Sequence, residues 1–218
     1  SDAARALGAV NCVVIGEDGS FYGDNTDYSG FIAGLKRGLP QVAENPARLE
    51  HVVQLGAGGA GSATAYALCR LGVRCLSLFE RDAAKAQELA EQLGGLFPQT
   101  RVEVLSDNER LIEALLEAQG LVNATPVGMH VHPGMPLSES ALSAGVLREG
   151  LWVADVIYLP QQTQLVRAAC AAGCEVLTGG YMAVGQAVDA FRLFTGLEPN
   201  AERMAAHFEA LIAAQQGA

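Results

Sequence analysis

The sequence has few of the features that mark secreted, membrane-spanning or nucleic-acid-binding proteins. Its five cysteines are odd in number and form no CxxC pair, which predicts reduced, buried thiols rather than a disulfide framework. No apolar run approaches the ~20 residues that cross a bilayer, and nothing resembling a signal peptide opens the chain, so we expect a cytoplasmic protein without a membrane partner. Only 14 lysines and arginines stand against 24 acidic residues, and the net charge of −10 argues against binding to nucleic acid.

A glycine-rich turn within residues 51–82 is the strongest positive signal. An apolar run is followed by the letters GAGGAG, then by an alanine-rich segment, then by a second apolar run that ends in acid. This order is typical of a strand, turn, helix and strand that bind the diphosphate of a dinucleotide at the helix N-terminus. Gly56 makes the tight turn, Gly58 lets bare backbone approach the diphosphate, and Gly61 lets the helix pack on the strand. The predicted cofactor-binding residues of this turn are Gly56, Ala57, Gly58, Gly59 and Ala60.

Two charged residues at the end of the second apolar run bear on the type of dinucleotide. Glu80 lies 24 residues after Gly56, where a carboxylate accepts hydrogen bonds from the adenosine ribose and favours NAD. Arg81 is a guanidinium suited to a 2′-phosphate and favours NADP. Because a carboxylate repels a ribose phosphate, we expect NAD, with NADP as the alternative. Asp82 is expected only to cap the next helix.

From residue 51 onward, predicted strands alternate with predicted helices. This alternation implies an α/β fold with a doubly wound parallel sheet of the Rossmann type. The predicted strands occupy residues 51–56, 74–79, 101–105, 120–123, 152–157 and 175–177, and the predicted helices occupy residues 59–71, 83–93, 108–117, 162–172, 179–194 and 200–214. The segment 123–129 follows a strand end, where ligands of open α/β sheets lie, although a plain proline loop would read the same.

The pattern ahead of residue 51 is different. A helix is predicted at 1–7, a strand at 9–15, and a returning antiparallel strand at 21–23. The letters GDNTD at 23–27 then open a helix, and residues 40–48 are expected to form a surface connection. Two capping residues would suffice to start a helix, but four polar residues are present, which indicates a function beyond capping.

One pair of histidines has a spacing that metal sites use. His130 and His132 are separated by one residue, but no third ligand of matching spacing follows, and Pro133 and Gly134 indicate an exposed loop. The sequence therefore predicts no metal.

Six separated motifs, in the same order, resemble the shikimate/quinate dehydrogenase family over essentially the whole chain. They are GAVNCVV at 8–14, GDNTD at 23–27, GAGGAG at 56–61, NATPVGM at 123–129, DVIYLP at 155–160 and GGYMAVGQAVDAFRLFTG at 179–196. The resemblance implies an NAD(P)-dependent enzyme, monomeric or homodimeric. It further implies that the enzyme interconverts shikimate or quinate and the 3-dehydro compound by hydride transfer.

The resemblance also implies roles for individual residues. Asp27 would handle the hydroxyl proton together with a lysine, Asn11 and Gln186 would hydrogen-bond substrate hydroxyls, and Tyr158 would lie near the substrate. These roles are chemically reasonable, because removing a hydride from a carbinol carbon requires a group that takes the hydroxyl proton. The expected cofactor contacts outside the glycine turn are Glu80, Arg81, Asn123, Thr125, Gly179 and Met182.

The same resemblance implies a division of the chain and one departure from the family. Residues 1–28 would be a remnant of an α/β substrate-binding domain, 29–180 the NAD(P)-binding domain, and 181–218 C-terminal helices that return to the substrate domain. In the family, the partner lysine and the groups that bind the substrate carboxylate lie upstream of Ser1, and neither Lys36 nor Lys85 matches that lysine.

Two further interpretations follow from this departure. We expect the sequence to be a truncation of an active enzyme, and the alternative is a non-catalytic dinucleotide-binding or regulatory module. Another Rossmann dehydrogenase, of the methylenetetrahydrofolate type, is disfavoured by the paired NTD and GxxMxxxQ signatures.

Overall fold

A computed structural model describes residues 1–216 as two sheets and a set of surrounding helices. The strands are β1 (Cys12–Ile15), β2 (Phe21–Asp24), β3 (His51–Leu55), β4 (Cys75–Phe79), β5 (Arg101–Val104), β6 (Gly120–Asn123), β7 (Trp152–Asp155) and β8 (Glu175–Leu177). The α-helices are α1 (Asp2–Leu7), α2 (Asp27–Gly38), α3 (Pro40–Ala43), α4 (Gly59–Arg70), α5 (Ala83–Leu96), α6 (Asn108–Glu117), α7 (Glu139–Ser143), α8 (Gln164–Ala171), α9 (Gly179–Thr195) and α10 (Ala201–Gln216).

The main sheet is parallel throughout, in the order β5-β4-β3-β6-β7-β8. Apolar side chains on one face pack with α2, α4 and α5, and those on the other face pack with α6, α7 and α8. The predicted doubly wound α/β architecture is therefore confirmed. The strand order reverses between β3 and β6, and the crevice at the carboxyl ends of these two strands is where such sheets bind ligands.

Helices α2 and α9 cross at very short range because glycines line the contact. A Cβ built on Gly30 would lie 2.5 Å from the backbone nitrogen of Gln186, and one on Gly185 would lie 2.6 Å from the carbonyl oxygen of Gly30. One turn further along α2, a Cβ on Gly34 would lie 3.0 Å from the backbone of Tyr181. The crossing thereby fixes α9 against α2, which directly follows the antiparallel pair formed by β1 and β2.

A buried polar network joins the ends of β6 and β7. The Asp155 carboxylate accepts hydrogen bonds from the Asn123 side-chain amide (3.1 Å), the Ile157 backbone amide (3.1 Å) and the Thr163 hydroxyl (2.7 Å). Burial nevertheless raises the pKa of Asp155 from 3.8 to about 6, although these three bonds act in the opposite direction.

Several sequence predictions need correction. The segment 40–48 is not a plain connection, because it contains α3 and a 3₁₀ turn at Pro46–Arg48, each begun by a proline whose φ suits a first helical position. The strand predicted at 152–157 ends at Asp155, because the Asp155 side chain accepts a hydrogen bond from the backbone amide of Ile157. Cys170 is exposed rather than buried, because it follows the inward-facing Ala169 on α8.

The predicted division of the chain stays a prediction. Its first boundary falls within α2 and its second falls within the first turn of α9. Residues 217–218 of the predicted third segment lie outside the described residues. Within residues 1–216, the helices are too short or too polar for any of them to cross a bilayer.

Substituting Gly30 by alanine is expected to destabilise the protein by about 1–3 kcal/mol, because the added methyl group overpacks the contact with α9. Gly94→Ala is the matched control. Gly94 also lies inside a helix, but a Cβ there meets no atom within 4 Å, so higher helix propensity is expected to stabilise the protein by about 0.5–1 kcal/mol. Urea unfolding of the three proteins makes the comparison, and equal stability of the two variants would contradict the packing argument.

Asp155 is expected to make stability depend on pH between about 4 and 6. The folded protein binds a proton there that the unfolded chain releases, so this contribution to the free energy of unfolding falls as pH rises through the window. The difference between the pKa of 3.8 in the unfolded chain and about 6 in the folded protein corresponds to roughly 3 kcal/mol of unfolding free energy. The difference in unfolding free energy between wild type and Asp155→Asn should therefore shift in favour of the wild type as pH falls from 7 to 4. A difference that stays constant with pH would refute this account.

Candidate active site

The glycine turn has the geometry that its sequence predicts. Gly56 has a φ of +96°, a conformation that favours glycine, and a Cβ there would lie 2.9 Å from the backbone of Ala124. A Cβ on Gly61 would lie 2.4 Å from the carbonyl oxygen of Gly56, so this residue lets α4 approach β3. Above Gly58, by contrast, there is open space. The first amides of α4 therefore border a free volume, as an anion site at a helix N-terminus requires.

A cleft of about 280 Å³ lies at the carboxyl ends of β3, β4 and β6. Its lining includes five of the residues predicted to contact the cofactor, namely Gly56, Gly58, Glu80, Arg81 and Thr125. These residues come from three separate loops, and the strand-order reversal brings those loops together. The cleft thus has the position and the groups that a dinucleotide needs.

Glu80 is held in place at this cleft by backbone amides. Its carboxylate accepts hydrogen bonds from the amides of Ala57 (2.9 Å) and Asp82 (3.2 Å). Partial burial raises the pKa of Glu80, but these amide bonds and the neighbouring Arg81 guanidinium outweigh that effect and hold the pKa below its usual range. The side chain is therefore a charged acceptor at neutral pH. Because the Ala57 amide donates to Glu80, this amide is not free to bind a cofactor.

Asn123 is fully buried and orients the neighbouring loop. Its side-chain oxygen accepts hydrogen bonds from the hydroxyl (2.7 Å) and the backbone amide (3.2 Å) of Thr125, and its side-chain nitrogen donates to Asp155. Thr125 lines the cleft, and its two hydrogen bonds to the buried Asn123 fix its position there.

A second polar cluster forms where β1, α2 and α9 meet. The Thr26 backbone amide donates to Asn11 Oδ1 (2.8 Å), and Asn11 Nδ2 donates to Thr26 Oγ1 (3.1 Å). The Thr26 hydroxyl lies 3.4 Å from Gln186 Oε1, so it links the two predicted substrate-binding amides. Burial raises the pKa of the adjacent Asp27 carboxyl, and the Asn11 side chain partly offsets this. The structure therefore brings together Asn11, Asp27 and Gln186.

Sequence reasoning did not single out Thr26, although it is buried at the centre of this cluster. The available signal was the surplus of polar residues in GDNTD. In the structure, Asn25 caps the Asp27 amide at 3.0 Å, which leaves the Thr26 side chain free to bridge to α9.

The remaining predicted residues lie along α9 and beside it. Gly179 packs tightly where β7 ends, since a Cβ there would lie 2.3 Å from the Val156 carbonyl oxygen. Met182 is 8% exposed and packs in the core, so little of its side chain is free to meet a cofactor. Tyr158 is exposed, and its described ring contact is an edge-on approach to Phe208 with centroids 6.5 Å apart. No described hydrogen bond joins Tyr158 to the cluster of Asn11 and Gln186.

Helix α9 connects the two sites. It begins at Gly179, beside the carboxyl ends of the sheet, and reaches Gln186 seven residues later, or roughly 10 Å along the axis. This distance suits a reactive ring held between a dinucleotide and a polar cluster.

A larger cavity of about 580 Å³ lies between α2, α9 and α10 and was not foreseen from the sequence. Its lining includes Arg37, Tyr181, Arg192 and Phe208 but none of the residues predicted to bind substrate or cofactor. The smaller cleft is therefore the better candidate for the nucleotide, because its backbone geometry and charge fit that ligand.

Comparison with known proteins agrees with this geometry. A family model described as the Shikimate 5'-dehydrogenase C-terminal domain matches residues 181–207. A protein of Arthrobacter sp. named shikimate dehydrogenase (NADP(+)) is 55% identical over 213 residues, which is 98% of this chain and 69% of that protein. A quinate/shikimate dehydrogenase (NAD(+)) of Corynebacterium efficiens is 48% identical over 211 residues, 97% of this chain and 70% of that protein.

A solved structure, described as quinate dehydrogenase from Corynebacterium glutamicum in complex with NAD, superposes with a TM-score of 0.86. It is 46% identical, and the match covers 96% of this chain and 71% of that one. Identity at this level along nearly the whole chain, with the two clusters in place, shows that the chain belongs to the shikimate/quinate dehydrogenase family.

Proposed function

We propose that the protein is an NAD(P)-dependent oxidoreductase that interconverts shikimate or quinate and the corresponding 3-dehydro compound. The observation that carries this proposal is the convergence of Asn11, Thr26, Asp27 and Gln186 about midway along α9, whose first residues lie beside the carboxyl edge of the nucleotide-binding sheet. A plain binding module has no use for this second cluster. Relatives of 48–55% identity that are named dehydrogenases further disfavour such a module.

The glycine turn fits a dinucleotide. Space above Gly58, unpaired amides at the start of α4 and a charged acceptor at Glu80 supply the diphosphate and ribose contacts. A bound nicotinamide would supply the acceptor for the hydride that leaves the carbinol carbon. Gly179 lets α9 approach the sheet edge closely, and Thr125, whose hydroxyl donates to Asn123, lines the cleft.

The polar cluster fits a polyhydroxylated ring. The amides of Asn11 and Gln186 each offer a donor and an acceptor, and the Thr26 hydroxyl fixes their relative orientation. Substrate hydroxyls would replace some of these internal bonds, so that a ring with matching hydroxyls loses little hydrogen bonding on binding. Tyr158 would contribute from the loop after β7.

Asp27 is the ionisable group of this cluster. Loss of hydride from the carbinol carbon leaves the hydroxyl proton to be accepted, and a carboxylate within the cluster accepts or relays it. Burial raises the pKa of Asp27 and so makes its carboxylate a stronger base than an exposed aspartate. Neither lysine of the sequence is placed to assist. Lys85 pairs with Asp82 at 3.5 Å, and Lys36 lies nine residues further along α2, or roughly 13 Å away.

The choice between the two dinucleotides follows from the Glu80 carboxylate. We infer a preference for NAD, because a charged carboxylate held by the Ala57 amide repels a 2′-phosphate. The exposed Arg81 acts in the opposite direction, and relatives are named for either cofactor.

Asp27→Asn is expected to lower kcat at least 100-fold with quinate or shikimate, because the amide cannot accept the hydroxyl proton. The dissociation constant for NAD, measured by fluorescence titration, should stay within a factor of about two. Asp2→Asn serves as the control, since Asp2 is an exposed acid whose only described side-chain partner is Arg5. Equal losses of turnover and cofactor affinity in Asp27→Asn would refute the assigned role.

Glu80→Gln is expected to raise the ratio of NADP to NAD affinity about tenfold or more, because the substitution removes the charge while keeping an acceptor for the Ala57 amide. Glu91→Gln is the matched control on the exposed surface of α5. Dissociation constants for both cofactors, at one ionic strength, provide the measurement. An unchanged ratio in Glu80→Gln would show that this carboxylate does not select the cofactor.

A further inference from the structure

Three potential metal ligands meet at the amino-terminal edge of the main sheet, opposite to the nucleotide cleft. His51 begins β3, Cys75 begins β4, and Glu103 lies on β5. The parallel register sets His51 beside Cys75, and it sets Ser77 beside Glu103 on the same face two residues further along. One ligand atom from each of His51, Cys75 and Glu103 lies within 4.8 Å of the other two.

We propose that His51, Cys75 and Glu103 form a binding site for a divalent cation of the zinc type. An imidazole nitrogen, a thiolate and a carboxylate oxygen are the donors that zinc takes in proteins, and three protein ligands with one water complete a tetrahedron. Hard cations such as Mg²⁺ prefer oxygen ligands alone and do not suit this donor set.

The distances require only small movements. Around a tetrahedral zinc ion, donor atoms lie roughly 3.5 Å apart. The Cys75 sulfur and the nearer Glu103 oxygen are already 3.9 Å apart. Ser77 joins the other two ligands, since its hydroxyl lies 2.8 Å from His51 Nε2 and 2.7 Å from Glu103 Oε1. On binding, this hydroxyl can keep its hydrogen bond to Glu103, and it keeps the one from His51 Nε2 when Nδ1 is the ligating nitrogen; if Nε2 ligates, the metal–nitrogen bond replaces it.

Arg101 places a positive charge beside two of the three ligands. Its guanidinium lies 3.1 Å from the Cys75 sulfur and 3.6 Å from the second Glu103 oxygen. The side chain is 70% exposed, so it can turn into solvent when a cation arrives. On binding, a metal–sulfur bond replaces the S–H bond of Cys75, and the thiol proton passes to solvent.

An ion bound at this location would stabilise the edge of the main sheet. Its ligands come from three neighbouring strands, so binding to the folded state ties β3, β4 and β5 together and stabilises them by mass action. The site is remote from the glycine turn, which occupies the other end of β3. The proposal therefore stands independently of the dehydrogenase function.

Calorimetric titration of chelator-treated protein with Zn²⁺ tests the proposal. We expect one ion to bind per chain, and we expect Cys75→Ser and Glu103→Gln each to weaken binding at least tenfold. Glu103→Gln keeps an acceptor for Ser77 and so preserves the hydrogen bond within the network. Co²⁺ should give a thiolate charge-transfer absorption that Cys75→Ser abolishes, while Mg²⁺ should give no heat.

Two control variants separate this site from adventitious binding. Cys170→Ser removes an exposed thiol, and His132→Gln removes half of the histidine pair in the loop after β6; both should bind Zn²⁺ like the wild type. Equal affinity in Cys75→Ser, a loss of binding in either control, or no zinc binding by the wild type would overturn the proposal. If circular dichroism shows Cys75→Ser to be unfolded, Glu103→Gln and the wild-type cobalt spectrum decide the question.

Discussion

The close crossing of α2 and α9 is the contact on which the candidate site depends. It requires residues without a Cβ atom, above all Gly30 and Gly185, because a side chain at either position would clash with the backbone of the facing helix. Because the two backbones almost touch, Gln186 reaches the Thr26 hydroxyl and, through it, Asn11. The same helix starts against the sheet edge. A shift of α9 would therefore disturb the polar cluster of Asn11 and Gln186 and the contact with the sheet edge together, which explains why small residues occur at both places.

Two carboxyl groups of the site show how local surroundings assign chemical roles. Glu80 accepts hydrogen bonds from backbone amides, so its pKa falls and it keeps its charge as a fixed acceptor. Asp27 is desolvated by burial, which the Asn11 side chain offsets only in part, so its pKa rises and its carboxylate becomes a stronger base. The residue types alone would not separate these roles. They follow from how far burial desolvates each carboxyl group and from the number of donors that the backbone presents to it.

The sequence carries much of the fold and less of the site. Strand β6, helix α6 and strand β8 match their predicted limits because apolar periodicity and a capping Asp107 mark them clearly. Helix α3 was missed because four residues carry too little periodicity. Thr26 was missed since its importance depends on a partner 160 residues away, and no local pattern records that contact. Likewise the hydrogen bonds of Asn123 to Asp155 and Thr125 were not predicted, and its contact with a cofactor stays a prediction.

The two edges of the parallel sheet differ in how their polar groups arise. At the carboxyl edge, each strand leads into a loop, so a motif contiguous in sequence can supply several groups at once, as GAGGAG does. At the amino edge, neighbouring groups come from different strands, one residue at a time. His51, Cys75 and Glu103 are therefore separated by more than twenty residues each, and no spacing rule for metal ligands finds them. Strand register alone places them together, and for this reason the sequence indicates the nucleotide site but is silent about the cluster at the opposite edge.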